Sequence, residues 1–176
     1  MRPLAILVVA VLLAMNSQDV HAVEPEQVSW TAEGVAAMRA IAAQHPDPKI
    51  RCPDDLAGRF VSAEFYRYSP FAPDYETSIK VVRAYRAGTY YSLNARTHYI
   101  DGVLEQMAEK GLTQVVSLGA GLDTRAYRFS GRFPNIRFFE MDLPATSGFK
   151  KRKVIEVLGA LPESVAYVSI DFNKET

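Results

Sequence analysis

The stretch Ser117–Arg125, SLGAGLDTR, decides the fold, because two glycines in it separate an apolar run from a segment that favours a helix. The apolar run Thr113–Leu118 is typical of a β-strand, and Asp123–Phe129 is typical of a brief helix capped by its first or second residue. Gly119 and Gly121 allow a tight turn and the close approach of a ligand, as the first two glycines of a dinucleotide-binding turn do. The sequence therefore predicts a strand, a glycine turn and a helix, with a nucleoside-containing ligand against the turn.

The residues after the glycines indicate which nucleoside. Thr124 replaces the third glycine of a G-x-G-x-x-G fingerprint, and Asp123 lies where NAD or FAD would place a pyrophosphate. A carboxylate there repels a phosphate and occupies the anion site of the helix. A cationic ligand is favoured instead, and S-adenosylmethionine carries a sulfonium and an ammonium group but no phosphate. We therefore expect S-adenosylmethionine as the cofactor.

The rest of the C-terminal region repeats the strand–helix pattern. Strand-like Ile136–Asp142 leads to a helical segment, Ser147–Ala160, and then to strand-like Val165–Phe172. This order predicts parallel pairing with right-handed crossovers, which is an α/β fold. Residues 113–176 thus read as the first half of a Rossmann-like parallel sheet. The sequence stops after the third strand, so we expect an open sheet edge prone to self-association, and a chain that binds its ligand more readily than it turns it over.

Polar and aromatic side chains mark the ends of the later strands. Glu140 or Asp142 can accept hydrogen bonds from both ribose hydroxyls, and we expect only one of them to face the ligand while the other packs or pairs elsewhere. Asp171 and Phe172 can contact the adenine through a carboxylate and an aromatic face. Because open α/β sheets bind ligands outside the carboxyl ends of their strands, these residues are predicted to share one crevice with the glycine turn.

The N-terminal region divides into two parts. Residues 1–22 have a cationic start, an apolar run Leu4–Met15 and a polar stretch that ends in Val20-His21-Ala22. This pattern predicts a signal peptide cleaved after Ala22, with no stable membrane span, and a secreted or periplasmic protein. The alternatives are an uncleaved anchor and a mis-assigned start codon upstream of a cytoplasmic protein. Residues 23–112 form a predicted helical region, with one helix capped by Ser29 or Thr31 and a second, from 78 to 110, broken near Gly88.

Composition excludes several functional classes. Among 176 residues, 20 basic side chains balance 20 acidic ones, so no nucleic-acid partner is expected and the cluster Lys150–Lys153 is interpreted as a solvated helix face. The single cysteine, Cys52, cannot form an internal disulfide. His45 and His98 lack partners at metal-ligand spacing, so no metal site is predicted.

Four segments together resemble the bacterial branch of the leucine carboxyl methyltransferase family. The resemblance extends over roughly Thr31 to Phe172 and rests on TAEGVAAMRA (31–40), ARTHYIDG (95–102), QVVSLGAGLDTRAYRF (114–129) and FFEMDLP (138–144). It implies a class I methyltransferase fold with N-terminal helices and an S-adenosylmethionine-dependent methyl transfer to a carboxylate or hydroxyl of a small molecule or protein.

The same resemblance implies roles for individual residues. Arg96, the arginine of the Arg-Thr pair, is similar to the one that holds the cofactor carboxylate, and Asp142 is similar to the ribose acid. The glycine turn corresponds to Gly119 and Gly121, and the adenine-side pair to Asp171 and Phe172. A signal peptide and a short chain are unusual in this family. The sequence therefore leaves three functional alternatives open. The chain is a competent methyltransferase, a truncated remnant that binds the cofactor without turnover, or an exported binding protein.

Overall fold

The computed structural model describes residues 6–10, 29–172 and 174. Within these residues the strands form one parallel sheet in the order β1-β2-β3-β4. The strands are β1 (Ile6–Ala10), β2 (Gln114–Leu118), β3 (Arg137–Asp142) and β4 (Val165–Ser169). The three strands predicted from the sequence and their parallel pairing are confirmed, and with them the α/β class.

The register brings the carboxyl ends of the strands to one edge of the sheet. Leu118 lies opposite Met141, and Asp142 lies opposite Ser169. The glycine turn therefore leaves β2 beside the last residue of β3. This juxtaposition positions the candidate site.

The sheet has one strand more than the sequence analysis predicted. Ile6–Ala10, assigned above to the apolar core of a signal peptide, pairs in parallel with β2 and covers the edge that was expected to stay open. A short apolar run rich in β-branched residues suits both a buried strand and a signal sequence, and periodicity alone does not separate them. Residues 1–5 and 11–22 lie outside the described residues, so export and cleavage after Ala22 stay predictions.

Seven α-helices are present in the described part of the chain, and none of them is both long and apolar enough to cross a membrane. Ser29 caps the first through its side chain, which accepts the Ala32 N–H at 3.2 Å. The predicted break before the long helix falls at a π-helical turn, Val82–Arg86, rather than at Gly88. The helices are α1 (Trp30–Ala43), α2 (Ala57–Phe60), α3 (Ala63–Tyr68), α4 (Tyr75–Val81), α5 (Ala87–Glu109), α6 (Arg125–Ser130) and α7 (Pro144–Leu158).

One hydrophobic core joins the N-terminal helices to the sheet. Small residues let α1 approach α2 closely: a Cβ added at Gly58 would lie 3.3 Å from the Ala40 Cβ. Phe60 of α2 is fully buried and stacks on Tyr127 of α6, with ring centroids 5.6 Å apart. Phe138 of β3 is buried in the same cluster. The helical region thus packs directly on the strand–turn–helix unit that carries the glycines.

Removing β1 tests its place in the sheet. We expect a chain that starts at Val23 to unfold at a lower urea concentration than the full chain. Its unfolding free energy should be lower by at least about 1 kcal/mol, because β2 loses the hydrogen bonds along one edge. Its exposed edge should also promote self-association, measured by light scattering. Equal stability of two monomeric chains would contradict the pairing of β1 with β2.

Candidate ligand-binding site

The turn after β2 is built from two glycines in the left-handed region. Gly119 has φ of 62° and Gly121 has φ of 47°, conformations that favour glycine over other residues. A Cβ at Gly121 would also come within 3.3 Å of the Ala32 Cβ on α1. The space beside Gly119 is open, since no described atom outside Gly119 and its two chain neighbours lies within 4 Å of the position of an added Cβ. A ligand can therefore approach the backbone at Gly119.

Asp142 fixes this turn to the end of β3. Its Oδ2 accepts the N–H of Gly121 at 2.5 Å, and its Oδ1 accepts the N–H of Leu143 at 2.7 Å. The N–H of Ala120 donates to the carbonyl of Met141 at 3.0 Å. The acidic residue and the glycine turn are thus one hydrogen-bonded unit.

A cavity of about 220 Å³ opens over this unit. Its walls come from α1, α5, the glycine turn, the end of β3 and the start of α7. The structure brings together five of the seven predicted site residues in its lining: Arg96, Gly119, Gly121, Asp123 and Asp142.

The other two predicted residues, Asp171 and Phe172, are not in the lining of this cavity. Strand β4 already ends at Ser169, and the chain then turns, with the N–H of Lys174 donating to the carbonyl of Asp171 at 2.9 Å. Lys174 lies 3.2 Å from the Asp171 carboxylate, and 52% of Phe172 is exposed. The cavity thus does not include the end of β4, and the role of Asp171 and Phe172 stays a prediction.

Asp123 lines the cavity, but its carboxylate is already paired. Its Oδ2 accepts from Nη1 of Arg125, and its Oδ1 accepts the backbone N–H of Arg125 at 2.8 Å. Burial alone would raise the pKa of this carboxyl, but the Arg125 guanidinium, with Arg39 and Lys150 further away, holds that pKa well below its usual range. The sequence analysis expected Asp123 both as a cap of this helix and as the carboxylate that favours a cationic ligand. The bond from the Arg125 N–H fits the first expectation, and the Arg125 guanidinium neutralises the carboxylate on which the second depends.

The Asp123–Arg125 pair belongs to a larger set of buried ion pairs. Three arginines and three aspartates alternate around the glycine turn, so their formal charges cancel. Asp101 of α5 accepts from Nε of Arg125 at 2.6 Å and from Nη1 of Arg128 at 2.7 Å. We call this set the charge ring; its members are Arg39, Asp54, Arg128, Asp101, Arg125 and Asp123.

The remaining contacts close the ring onto the turn. Asp54 accepts from Nε of Arg39 at 2.7 Å, from the Thr124 hydroxyl at 2.6 Å and from the backbone N–H of Ala57 at 3.0 Å. Arg39 in turn donates through Nη2 to the carbonyl of Leu122 at 2.7 Å. The ring therefore ties α1, the segment before α2, α5 and α6 to the residues that follow Gly121.

The sequence analysis missed the members of the ring other than Asp123. One signal for Arg39 was available, because it is the one charged residue in the otherwise apolar run from Val35 to Ala43, and a charge on a buried helix implies a buried partner. No comparable signal marked Asp54, which lies in an irregular segment, or Asp101, whose neighbours on α5 are mixed.

Arg96 adds a further cation to the cavity wall. The side chain is half-buried, and its pKa is lowered by burial and then by the nearby charges of Arg125 and Arg39, while Asp123 opposes that shift. Three arginines thus contribute to this wall. An anionic group bound beside Arg96 would relieve the repulsion.

Glu140, the alternative ribose acid, is not in the lining of the cavity. Its Oε1 accepts from Nζ of Lys150 at 2.7 Å, and its Oε2 accepts from the Tyr127 hydroxyl at 2.9 Å. Burial raises the pKa of Glu140, although Lys150 and the hydrogen bonds oppose the shift. Lys150 was expected on a solvated face together with its basic neighbours, but it is buried, because Glu140 supplies the countercharge that the sequence pattern does not show. Glu140 and Asp142 are two residues apart and so share a face of β3, but only Asp142, at the end of the strand, reaches the cavity.

Comparison with known proteins gives one family. The sequence profile described as leucine carboxyl methyltransferase matches residues 32–176. The match begins within α1 and includes the glycine turn, Asp142 and every member of the charge ring.

Curated relatives come from actinobacteria. A proposed S-adenosyl-L-methionine-dependent methyltransferase of Streptomyces coelicolor is 39% identical over 130 residues, which are 73% of this chain and 43% of the relative. Proteins of the same description from Mycobacterium avium and Mycobacterium leprae are 37% and 32% identical over 80% and 86% of this chain. Those two matches include 44% and 47% of the relatives. The chain thus spans less than half the length of each of these relatives.

Removing one anion from the charge ring should destabilise the fold strongly. Asp54→Asn leaves Arg39 buried without its countercharge, which costs roughly 3–5 kcal/mol for a buried pair, while Arg128 keeps Asp101. The control Glu156→Gln breaks an exposed pair with Lys153 and should cost less than about 1 kcal/mol. Urea unfolding of both variants measures the difference. Equal small effects would show that the ring contributes no more than a surface ion pair.

The pairing of Asp123 also predicts a pH dependence. Its pKa is lowered on folding, so the stabilisation is present above the unfolded pKa of about 3.9 and is lost as pH falls below that value. The difference in unfolding free energy between the wild type and Asp123→Asn should be large at pH 6 and shrink steadily toward pH 2. A difference that stays constant between pH 6 and pH 2 would contradict the ion pair.

Proposed function

The chain belongs to the leucine carboxyl methyltransferase family, and on that premise we propose that its cavity binds S-adenosylmethionine for methyl transfer to a carboxylate or hydroxyl. The acceptor belongs to a small molecule or a protein. The proposal rests above all on the Asp142 carboxylate, which lies at the end of β3 beside the glycine turn and lines the cavity.

Asp142 suits the ribose of this ligand. Each of its oxygens accepts one backbone N–H, from Gly121 and from Leu143. An ionised carboxylate offers about four acceptor positions, so each oxygen can accept one more hydrogen bond. Two neighbouring hydroxyls of a ribose match these two positions. The open space beside Gly119 leaves room for the sugar to approach the backbone.

Arg96 suits the carboxylate of the amino-acid end. Its guanidinium lies on the same cavity wall as Arg125 and Arg39. Burial lowers the pKa of Arg96 most, and the charges of Arg125 and Arg39 lower it further. A carboxylate placed there gains a cation that can bind it through two parallel hydrogen bonds.

The start of α6, in contrast to the arginine wall, disfavours a dinucleotide. A pyrophosphate at the turn needs free amides at the start of the following helix. In this chain the first of those amides, from Arg125, donates to the Asp123 side chain and is not available to a phosphate. The helix α6 is also only six residues long. Both features favour a ligand without phosphate.

Bound S-adenosylmethionine would supply an electrophilic methyl group on a sulfonium. The residues of the chain would then orient the ligand through Asp142 and Arg96 and shield the reacting atoms from water. A carboxylate acceptor needs no general base, whereas a hydroxyl acceptor does. The cavity of about 220 Å³ is smaller than the roughly 300–1,000 Å³ of typical small-molecule sites, so it encloses only part of such a ligand.

Isothermal titration calorimetry with S-adenosylmethionine, S-adenosylhomocysteine and NAD tests the ligand. We expect the wild type to bind the first two more tightly than NAD. Asp142→Asn should weaken their binding by about 1–3 kcal/mol, which is roughly 5- to 150-fold, through lost hydrogen bonds to the ribose.

Glu140→Gln is the matched control, because it changes a carboxylate on the same strand that does not line the cavity. It should leave affinity unchanged at temperatures where the variant is folded. Tighter binding of NAD, or a larger loss for Glu140→Gln than for Asp142→Asn, would contradict the proposal. A methyl-transfer assay with carboxylate and hydroxyl acceptors then separates an enzyme from a protein that binds without turnover.

A further inference from the structure

We propose that the hydroxyl of Thr146 is a ligand-binding group of this cavity and hydrogen-bonds a ribose hydroxyl of the bound nucleoside. This inference rests on the proposed function. Thr146 is the third residue of α7, the helix that follows β3, and it lines the cavity together with Asp142.

The Thr146 side chain is buried without using its hydroxyl. Only 1% of the residue is exposed, and its Oγ1 has no hydrogen-bond partner among the residues that the structure describes. A buried hydroxyl that makes no hydrogen bond costs free energy, so such groups are rare unless a ligand or water satisfies them.

The Thr146 hydroxyl does not bond the usual backbone partners of a helical threonine. These are the carbonyls three and four residues earlier in the chain. Four residues back, the carbonyl of Asp142 accepts the N–H of Ile170 from the end of β4, at 2.9 Å. Three residues back, the carbonyl of Leu143 accepts the N–H of Ser147, also at 2.9 Å. Each carbonyl keeps a second lone pair, yet neither accepts the Thr146 hydroxyl.

The position and chemistry of Thr146 indicate the ribose. An ionised Asp142 can only accept hydrogen bonds, whereas a threonine hydroxyl both donates and accepts. A ribose presents two adjacent hydroxyls, each of which can also do both. Asp142 and Thr146 together thus match a vicinal diol better than the carboxylate alone does.

Ser147 provides an internal control. It is 4% exposed, and its hydroxyl also lacks a partner within the described part of the chain. Unlike Thr146, it is not in the lining of the cavity. Removing either hydroxyl relieves a buried unpaired group, but only Thr146 should affect ligand binding.

The experiment compares Thr146→Val, Thr146→Ser and Ser147→Ala in the full chain. Valine has the shape of threonine without the hydroxyl, and serine keeps the hydroxyl. Calorimetry with S-adenosylhomocysteine should show 3- to 10-fold weaker binding for Thr146→Val, and affinities within about twofold of the wild type for the other two variants. The melting temperature without ligand should stay the same or rise for Thr146→Val and Ser147→Ala. This measurement distinguishes the loss of a contact with the ligand from a loss of protein stability.

Analogues of S-adenosylhomocysteine that lack the 2′- or the 3′-hydroxyl assign the contact. For the analogue without the hydroxyl that Thr146 binds, the wild type and Thr146→Val should have equal affinity. Unchanged binding of S-adenosylhomocysteine by Thr146→Val, or an equal loss with both analogues, would overturn this inference while the proposed function stands. A wild type that binds neither S-adenosylmethionine nor S-adenosylhomocysteine would overturn the proposed function itself.

Discussion

The conformation of the glycine turn depends on the charge ring that surrounds it. Two of its arginines contact the turn directly: Arg39 binds the carbonyl of Leu122, and Arg125 binds the carboxylate of Asp123. The ring therefore holds the two residues that directly follow Gly121. Its three cations and three anions neutralise each other and are largely shielded from water. Removing one of these charges therefore costs much folding free energy, because its partner stays buried without a countercharge. The N-terminal helices therefore act on the site electrostatically as well as by packing. They fix the turn in the shape that leaves its backbone accessible.

This arrangement pairs charges of the site inside the protein. The aspartate at the turn is neutralised by Arg125, and the acid deeper in the sheet, Glu140, is neutralised by Lys150. Asp142 is left with spare acceptor capacity at the cavity, with Arg96 on the same wall. A ligand that presents sugar hydroxyls to one side and a carboxylate to the other matches this pattern. The proposed preference for such a ligand thus rests on which charges the fold pairs internally.

Much of the site could be predicted from the sequence, because local rules determine it. The glycine turn and the acid at the end of β3 follow from strand periodicity and turn chemistry. What could not be predicted depends on contacts distant in sequence. Glu140 and Asp142 share a strand face, and only the distant Lys150 assigns Glu140 to an internal ion pair. The Asp54–Arg39 pair joins an irregular segment to α1, and Ile6–Ala10 pairs with a strand more than a hundred residues later. The end of β4 at Ser169, before Asp171 and Phe172, is not marked by a turn signal.

The charge ring, three of whose members line the cavity, holds the glycine turn in place. Hydrogen exchange measured by mass spectrometry on Asp101→Asn tests it directly, since Asp101 joins Arg125 to Arg128 and does not line the cavity. Under conditions where the variant is folded, peptides covering residues 117–130 should lose protection while those covering β4 keep theirs. Unchanged protection of the turn, or an equal loss along the whole chain, would contradict the claim.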